Sequence, residues 1–339
     1  MIRVGIIGAG RWGLNHVRAV ASDPSCIVAA VADPDPTAAA KAKQIVPDAR
    51  VVADPEDIVS DPRIDAIIIA TPGASHASLA CCGLRANKHV LIEKPLALTL
   101  EHALEVRDTA RATRKVAMVG HLMLYHPAMV HLHDLLSSGA LGELHYLHCT
   151  RVNLGRVRHD ENALWSFGPH DLSMIDCLLG KMPESVVARG QRVLQQGIED
   201  VVFCHLRYAT GETAHLHMSW LNPRKERRLT VVCAKKMVEF DDVATDKLRI
   251  YDKGFDRPAV FTQYAQYLTI RDGDVYIPHI EMQEPLQLQL RDFIRSIETG
   301  SEPRANLDSG VRTIAILAAA QRSLTLDGEP MKIAAVLTA

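Results

Sequence analysis

The chain has 339 residues, of which 47% are hydrophobic, enough for two domains with a core each. The formal net charge of -2 gives no general attraction to nucleic acid or to an anionic membrane surface. No charged leader with a cleavage site and no apolar run long enough to cross a bilayer is visible, so the expected location is cytoplasmic.

The seven cysteines, Cys26, Cys81, Cys82, Cys149, Cys177, Cys204 and Cys233, form no Cys-x-x-Cys pair and are odd in number. They read as reduced, mostly buried thiols.

Residues 3–7 read as an apolar strand that runs into Gly8-Ala9-Gly10-Arg11-Trp12-Gly13, and residues 14–22 read as a helix. This is Gly-x-Gly-x-x-Gly in strand–turn–helix context. Gly8 allows the tight turn, Gly10 lets a pyrophosphate approach the backbone, and Gly13 lets helix pack on strand. The helix start offers N–H donors and partial positive charge to phosphates. Residues 27–32 form a second strand, and Asp33 ends it about 20 residues past the last glycine, where an acid receives the ribose hydroxyls. An acid at this place repels a 2′-phosphate, and Asp35 adds to it, so NAD is favoured over NADP. The bland reading of Asp33-Pro34-Asp35-Pro36 is a plain turn.

Helical periodicity resumes over residues 37–45, with a short strand over 50–52 and a short helix opening at Asp54. Residues 65–70 are a strongly apolar strand ending at Thr71-Pro72-Gly73-Ala74-Ser75-His76. Thr71 and Pro72 should line the adenosine side of a cofactor, while His76 either reaches the ribose or caps the helix that runs to Arg85. Residues 88–92 are the next strand. Glu93-Lys94 stands at its end, and Pro95, which has no N–H, stops the pairing. Ligands of open α/β sheets bind outside the carboxyl ends of strands, so Lys94 is a long cationic donor at the mouth of a site; the alternative is a surface ion pair. Residues 99–113 form a helix and 116–120 the last strand. The alternation implies a parallel, doubly wound sheet.

Beyond this point residues 128–138 are helical, and strands are expected over 143–153, 185–194, 200–208, 212–221, 228–233 and 236–240. Ala214, Leu216, Met218 and Trp220 alternate with His215, His217 and Ser219. Asp160 or Asn162 caps a helix that Gly168-Pro169 should perturb just before His170. Residues 285–298 and 307–324 read as amphipathic helices. These strands suggest a mostly antiparallel sheet covered on one face, whose other face would take a second subunit. The 16 histidines show no convincing ligand spacing, so no metal site is expected.

The glycine loop, Thr71-Pro72 and the run Lys88-His89-Val90 through Glu93-Lys94-Pro95 together resemble the glucose–fructose oxidoreductase / inositol dehydrogenase / MocA (Gfo/Idh/MocA) family, over nearly the whole chain. Val119-Gly120-His121, Leu124-Tyr125-His126-Pro127-Ala128, Trp165 with Pro169-His170-Asp171, and His217 through Pro223 look closest to its sugar-nucleotide 3-dehydrogenase-like branch. The resemblance implies an α/β chain: a Rossmann domain over residues 1–122, and an α+β domain with a large open mixed, mostly antiparallel sheet over 123–339. The second domain would hold substrate and make a homodimer or homotetramer.

The resemblance further implies that Lys94 contacts nicotinamide ribose and substrate hydroxyl, that Lys94–Pro95 is cis, and that His170 is the general base. Gly8, Gly10, Arg11, Trp12, Gly13, Asp33, Thr71, Pro72, His76, Glu93 and Lys94 become candidates for the cofactor. Tyr125, Arg151, Asn153, Arg158 and Ser166 become candidates for the sugar. Ser166 is a departure, because the family commonly has an aspartate one helical turn before the histidine.

The expected reaction interconverts a secondary ring hydroxyl and a ketone, at ring position three of a sugar nucleotide or related glycoside, moving a hydride between the ring carbon and NAD. His170, neutral near pH 7, takes the hydroxyl proton, and Lys94 stabilises the developing alkoxide. A sugar nucleotide would use Arg151, Arg156 and Arg158 for its phosphates. An amino sugar or aminoglycoside would use Asp160, Glu161 and Asp171, and a cyclitol fits the same family. A non-catalytic cofactor-binding regulator is the reading from another class.

Overall fold

A computed structural model describes residues 1–256 and 268–333. Two compact units emerge, one of Met1–Tyr125 with Gln283–Ile314, the other of His126–Met282 with Ala315–Ala339. The cut expected after residue 122 thus falls near the crossing at Tyr125. The expected partition did not include the return of residues 283–314 to the first unit.

In the first unit the elements run β1 (Ile2–Ile7), α1 (Arg11–Ser22), β2 (Cys26–Ala32), α2 (Pro36–Ile45), β3 (Arg50–Val52), α3 (Glu56–Val59), β4 (Ala66–Ile69), α4 (His76–Arg85), β5 (His89–Ile92), α5 (Leu100–Thr113) and β6 (Ala117–Val119). The strands are near-continuous apolar runs because both faces of a parallel sheet are covered: all four residues of β4, and Val90, Leu91 and Ile92 of β5, are fully buried. The order is β3-β2-β1-β4-β5-β6, all parallel. The strand order reverses between β1 and β4, which places the ligand crevice of such a sheet at their carboxyl ends.

The second unit contains α6 (Pro127–Ser137), β7 (Leu144–Leu154), α7 (Ala163–Leu179), β8 (Ser185–Gln191), β9 (Val201–Arg207), β10 (Thr213–Ser219), β11 (Leu221–Cys233), β12 (Met237–Asp241), β13 (Leu248–Asp256) and β14 (Thr269–Tyr276). The chain then adds α8 (Pro285–Thr299) to the first unit. It continues through α9 (Leu307–Thr325), which passes from one unit to the other after Ile314, and ends the described part with β15 (Met331–Lys332). The sheet order is β14-β13-β12-β11-β7-β10-β9-β8-β15. Only the β7–β10 pair is parallel among the described ladders.

The expected alternation on β10 holds. Ala214, Leu216 and Met218 are buried on the face that α7 covers, with Trp220 buried beyond them, and His215 and His217 point to the opposite face beside Phe203 and His205.

Three local readings need correction. Strand β11 begins at Leu221 rather than 228, because a register shift between Leu221 and Glu226 absorbs a polar stretch that has no apolar alternation. Strands β13, β14 and β15 had no sequence reading at all. Finally, α7 runs unbroken through Pro169. Pro169 costs the helix one N–H, yet the helix continues, with Gly168 closely packed: a Cβ there would sit 3.1 Å from Leu317 and 3.5 Å from the Met218 sulfur.

Candidate active site

The candidate cofactor site of the first unit is built mainly from backbone. Gly8 has φ +95°, and a Cβ there would lie 2.7 Å from the Ala70 carbonyl oxygen. A Cβ at Gly13 would lie 1.8 Å from the Gly8 oxygen, so only glycine lets α1 start this close to β1. Gly10, by contrast, faces open space, with nothing within 4 Å of a Cβ there. No side chain caps α1, and its first bond is Leu14 N–H to the Gly10 oxygen at 2.9 Å. The N–H groups of the first turn are left for a ligand. Arg11 and Trp12 flank them, both exposed.

The Asp33 carboxylate accepts from Ala9 N–H at 2.6 Å and from Asp35 N–H at 2.9 Å. It therefore makes the turn, ties that turn to the glycine loop, and keeps lone pairs for ribose hydroxyls. Thr71 and Ser75 hydroxyls lie 2.7 Å apart, and the Ser75 hydroxyl donates to the Pro72 carbonyl at 2.9 Å, which holds the loop after β4 with Pro72 exposed. An open cradle at Gly10, uncapped N–H groups and an acid at the end of β2 fit a dinucleotide.

Two cofactor candidates belong elsewhere. His76 is 1% exposed, its Nδ1 lies 2.7 Å from the Pro95 carbonyl oxygen and its Nε2 2.8 Å from that of Thr71. Both ring nitrogens face carbonyl oxygens, so the neutral ring donates to one of the two and only the imidazolium to both; either way the ring lies between the two loops and is buried there. Glu93 is also buried: His16 of α1 meets its Oε1 at 2.8 Å, and its Oε2 accepts from Lys94 N–H at 3.1 Å. Burial pushes this carboxyl up, but the His16 hydrogen bond and charge, with the Lys94 ammonium, outweigh it and hold it below its ordinary range. Lys94 itself is half-buried past the end of β5, and its bond to Pro95 is cis.

His16 escaped the sequence reading. The signal was present: Gly13, His16, Val17 and Val20 form one buried stripe of α1, and a polar residue on such a stripe requires a partner.

In the second unit, α7 carries the other candidates. Asn162 caps it by accepting from Trp165 N–H at 3.2 Å, and donates to Glu199 at 2.7 Å and Gln321 at 2.9 Å. Ser166 and His170, both half-buried, stand one turn apart on the same face. Asn153 is half-buried on β7, folded against Gly155, where a Cβ would meet its amide nitrogen at 1.9 Å. Arg158 reaches Glu161 at 3.5 Å.

Arg151 and Tyr125 are corrected as sugar candidates. Arg151 is 2% exposed and its Nε bonds Asp171 Oδ1 at 2.8 Å. Asp171 is therefore bonded at one oxygen and, at 2% exposed, buried. Burial raises its carboxyl pKa against the pull of Arg151, and its Oδ2 has no hydrogen-bond partner. Arg227, unread in the sequence, lies opposite Arg151 in the β11–β7 register, and burial with the charge of Arg151 lowers its pKa. Tyr125, in the first unit, is 4% exposed; its hydroxyl donates to Asp292 at 2.7 Å and accepts from Ala305 N–H at 3.1 Å. It fastens α8 and the segment after it, which return to this unit from a distant part of the sequence.

Among the described residues no group of three or more His, Cys, Asp or Glu could hold a metal ion, and no helix is long and apolar enough to cross a membrane.

A doubly wound sheet with a glycine-cradled helix start at its switch point defines a dinucleotide-binding Rossmann domain. Sequence profiles agree: one for the oxidoreductase family with NAD-binding Rossmann fold matches residues 2–121, and one for the GFO/IDH/MocA C-terminal domain matches residues 129–239. The chain belongs to the Gfo/Idh/MocA family. Inositol 2-dehydrogenase 2 of Saccharopolyspora erythraea is 32% identical over 62% of this chain; the match covers 63% of that relative's length.

A solved protein of Magnetospirillum magnetotacticum superimposes with TM-score 0.81 at 30% identity, over 94% of this chain and 99% of its own. UDP-N-acetylglucosamine 3-dehydrogenase of Acidithiobacillus ferrooxidans shares the fold, with TM-score 0.82 at 23% identity over 96% and 98%.

Proposed function

We propose that this protein oxidises a secondary ring hydroxyl of a cyclitol or sugar to the ketone with NAD. The observation that carries the reading is Lys94, held at the mouth of β5 in the sheet that also carries the glycine cradle. NAD, when bound, supplies the acceptor for the hydride. Gly8, Gly10 and Gly13 leave room for its pyrophosphate, the first N–H groups of α1 bond it, and Asp33 takes the ribose hydroxyls. Lys94 donates to the substrate oxygen and stabilises its developing negative charge. His170 removes the hydroxyl proton, and Ser166 one turn away bonds a neighbouring ring hydroxyl.

Relatives named as inositol 2-dehydrogenases support a cyclitol. A second reading, oxidation at ring position three of a sugar nucleotide, has its own support: Arg156 follows β7, and Arg224 and Lys225 lie in the strand that pairs with it, all exposed. Phosphates suit such cations.

The test is NADH formation, followed by nicotinamide absorbance, with myo-inositol, UDP-N-acetylglucosamine and an aminoglycoside, each with wild type, Lys94→Ala and His170→Ala. Turnover by wild type with one substrate is expected, and a fall of about 100-fold or more in each variant. Undiminished turnover in both variants would remove the assignment; tight NADH binding with no turnover on any substrate would favour a regulator.

A further inference from the structure

Strand β5 ends at Ile92, and its ladder gives Glu93–Pro95 little support. Glu93 N–H still reaches the Ile69 oxygen at 2.9 Å, but Pro95 has no N–H to offer. The placement of Lys94 therefore depends on other bonds. Two are visible, one on each side of it, and each comes from a buried histidine. Before Lys94, the Glu93 carboxylate bridges Lys94 N–H and His16 Nε2, with Gly120 packed against it so closely that a Cβ would come 3.1 Å from Oε2. After Lys94, the Pro95 carbonyl meets His76 Nδ1, whose other nitrogen faces the Thr71 carbonyl. Both histidines are 1% exposed. Burying an imidazole is unfavourable unless it is bonded; His16 bonds Glu93, and His76, when its proton is on Nδ1, donates to the Pro95 carbonyl.

We propose that His16 and His76 are positioning residues for Lys94: His16 fixes the residue before it through Glu93, and His76 fixes the residue after it through the Pro95 carbonyl. The inference rests on the reading of Lys94 as donor to the substrate oxygen. Neither histidine touches substrate. Each acts by holding the lysine backbone where its ammonium must point. A displacement of about 1 Å at such a donor costs about 100-fold in rate.

The test uses the full chain with NAD and myo-inositol, in His16→Leu, His16→Gln and His76→Leu. His16→Leu and His76→Leu should lower kcat about 10- to 100-fold, while the NADH dissociation constant, read by nicotinamide fluorescence, moves less than about threefold, below half the tenfold step of 1.4 kcal/mol. His16→Gln, which can still donate to Glu93, should recover most of the rate. Wild-type kcat in both leucine variants, or NADH affinity lost in proportion to kcat, would overturn the proposal.

A second readout needs no turnover and covers variants that fold poorly. Acetic anhydride labelling of Lys94, measured peptide by peptide, should change severalfold in His16→Leu and His76→Leu and stay near wild type in His16→Gln, while the other lysines keep their reactivity; unchanged Lys94 labelling in both leucine variants refutes the hold. If wild type does not oxidise myo-inositol, the labelling alone decides. If Lys94→Ala turns over like wild type, the catalytic reading fails, and the labelling still reports on the two histidines.

Discussion

Two buried carboxylates, one in each compact unit, stand next in sequence to the residues proposed for the chemistry. Glu93 precedes Lys94, and Asp171 follows His170. Burial works against the charge of both, yet they end on opposite sides of their ordinary values: Glu93 is held down and Asp171 pushed up. The difference lies in the count of donors. Both Glu93 oxygens are bonded, to His16 and to Lys94 N–H, whereas Asp171 has one oxygen on Arg151 and one with no partner. The state of a buried acid is thus set by how many of its lone pairs find a donor, more than by burial.

That contrast predicts where each pair breaks. Arg151→Leu removes the one donor on Asp171 and should be the most damaging change, at about 3–5 kcal/mol of stability, seen in a urea unfolding midpoint. A loss under about 1 kcal/mol, the scale of an exposed pair, would mean that Asp171 was already neutral and the pair contributes little.

A neutral hydroxyl shows the smaller scale. Tyr125→Phe deletes the bond to Asp292 and strands Ala305 N–H, which should cost about 1–3 kcal/mol. Its kcat should equal wild type, because the Tyr125 hydroxyl is buried between Asp292 and Ala305; a selective rise in KM for the ring substrate would return Tyr125 to the sugar site.

The subtlest test uses pH. For Glu93 the folded pKa lies below the ordinary 4.5. Its stabilisation is therefore complete above that value and is lost as pH falls through the lower folded pKa. For Asp171 the folded pKa lies above the ordinary 3.8. Between those two values the folded state holds the proton more tightly, so raising pH through the window withdraws stability. Relative to wild type, the deficit of Glu93→Gln should shrink on acidification, and that of Asp171→Asn should shrink as pH rises above 3.8 through the raised folded pKa. Chemical unfolding across this range reads both slopes, and slopes of the same sign would break the comparison.

The sequence made the first unit readable wherever chemistry is local. Gly8, Gly10, Gly13, Asp33 and Lys94 announce themselves by spacing and by the strand they follow, and the structure puts each where that spacing requires. What stayed hidden was pairing across long separations. Glu93 read as a cofactor contact because His16, 77 positions away, carries no mark of its partner. Tyr125 read as a sugar contact because Asp292 lies 167 positions on. Arg151 and Asp171 meet only once α7 has been laid across β7. Strand β11 began earlier than its apolar alternation, since ladder pairing with β7 continues across a polar register shift. Helix α7 continues through Pro169, with Gly168 and Pro169 both buried.

Helix α1 offers its first N–H groups at one end and, one turn further, lends His16 to Glu93. The two duties share one rigid rod. An engineer who wants to exchange one nicotinamide cofactor for another therefore has freedom at Asp33 and Asp35, which lie off the rod, and very little in the glycine loop. Any insertion that slides α1 along its axis, even one that keeps the phosphates comfortable, takes His16 out of register with β5 and should appear as an enzyme that binds its cofactor well and turns over slowly.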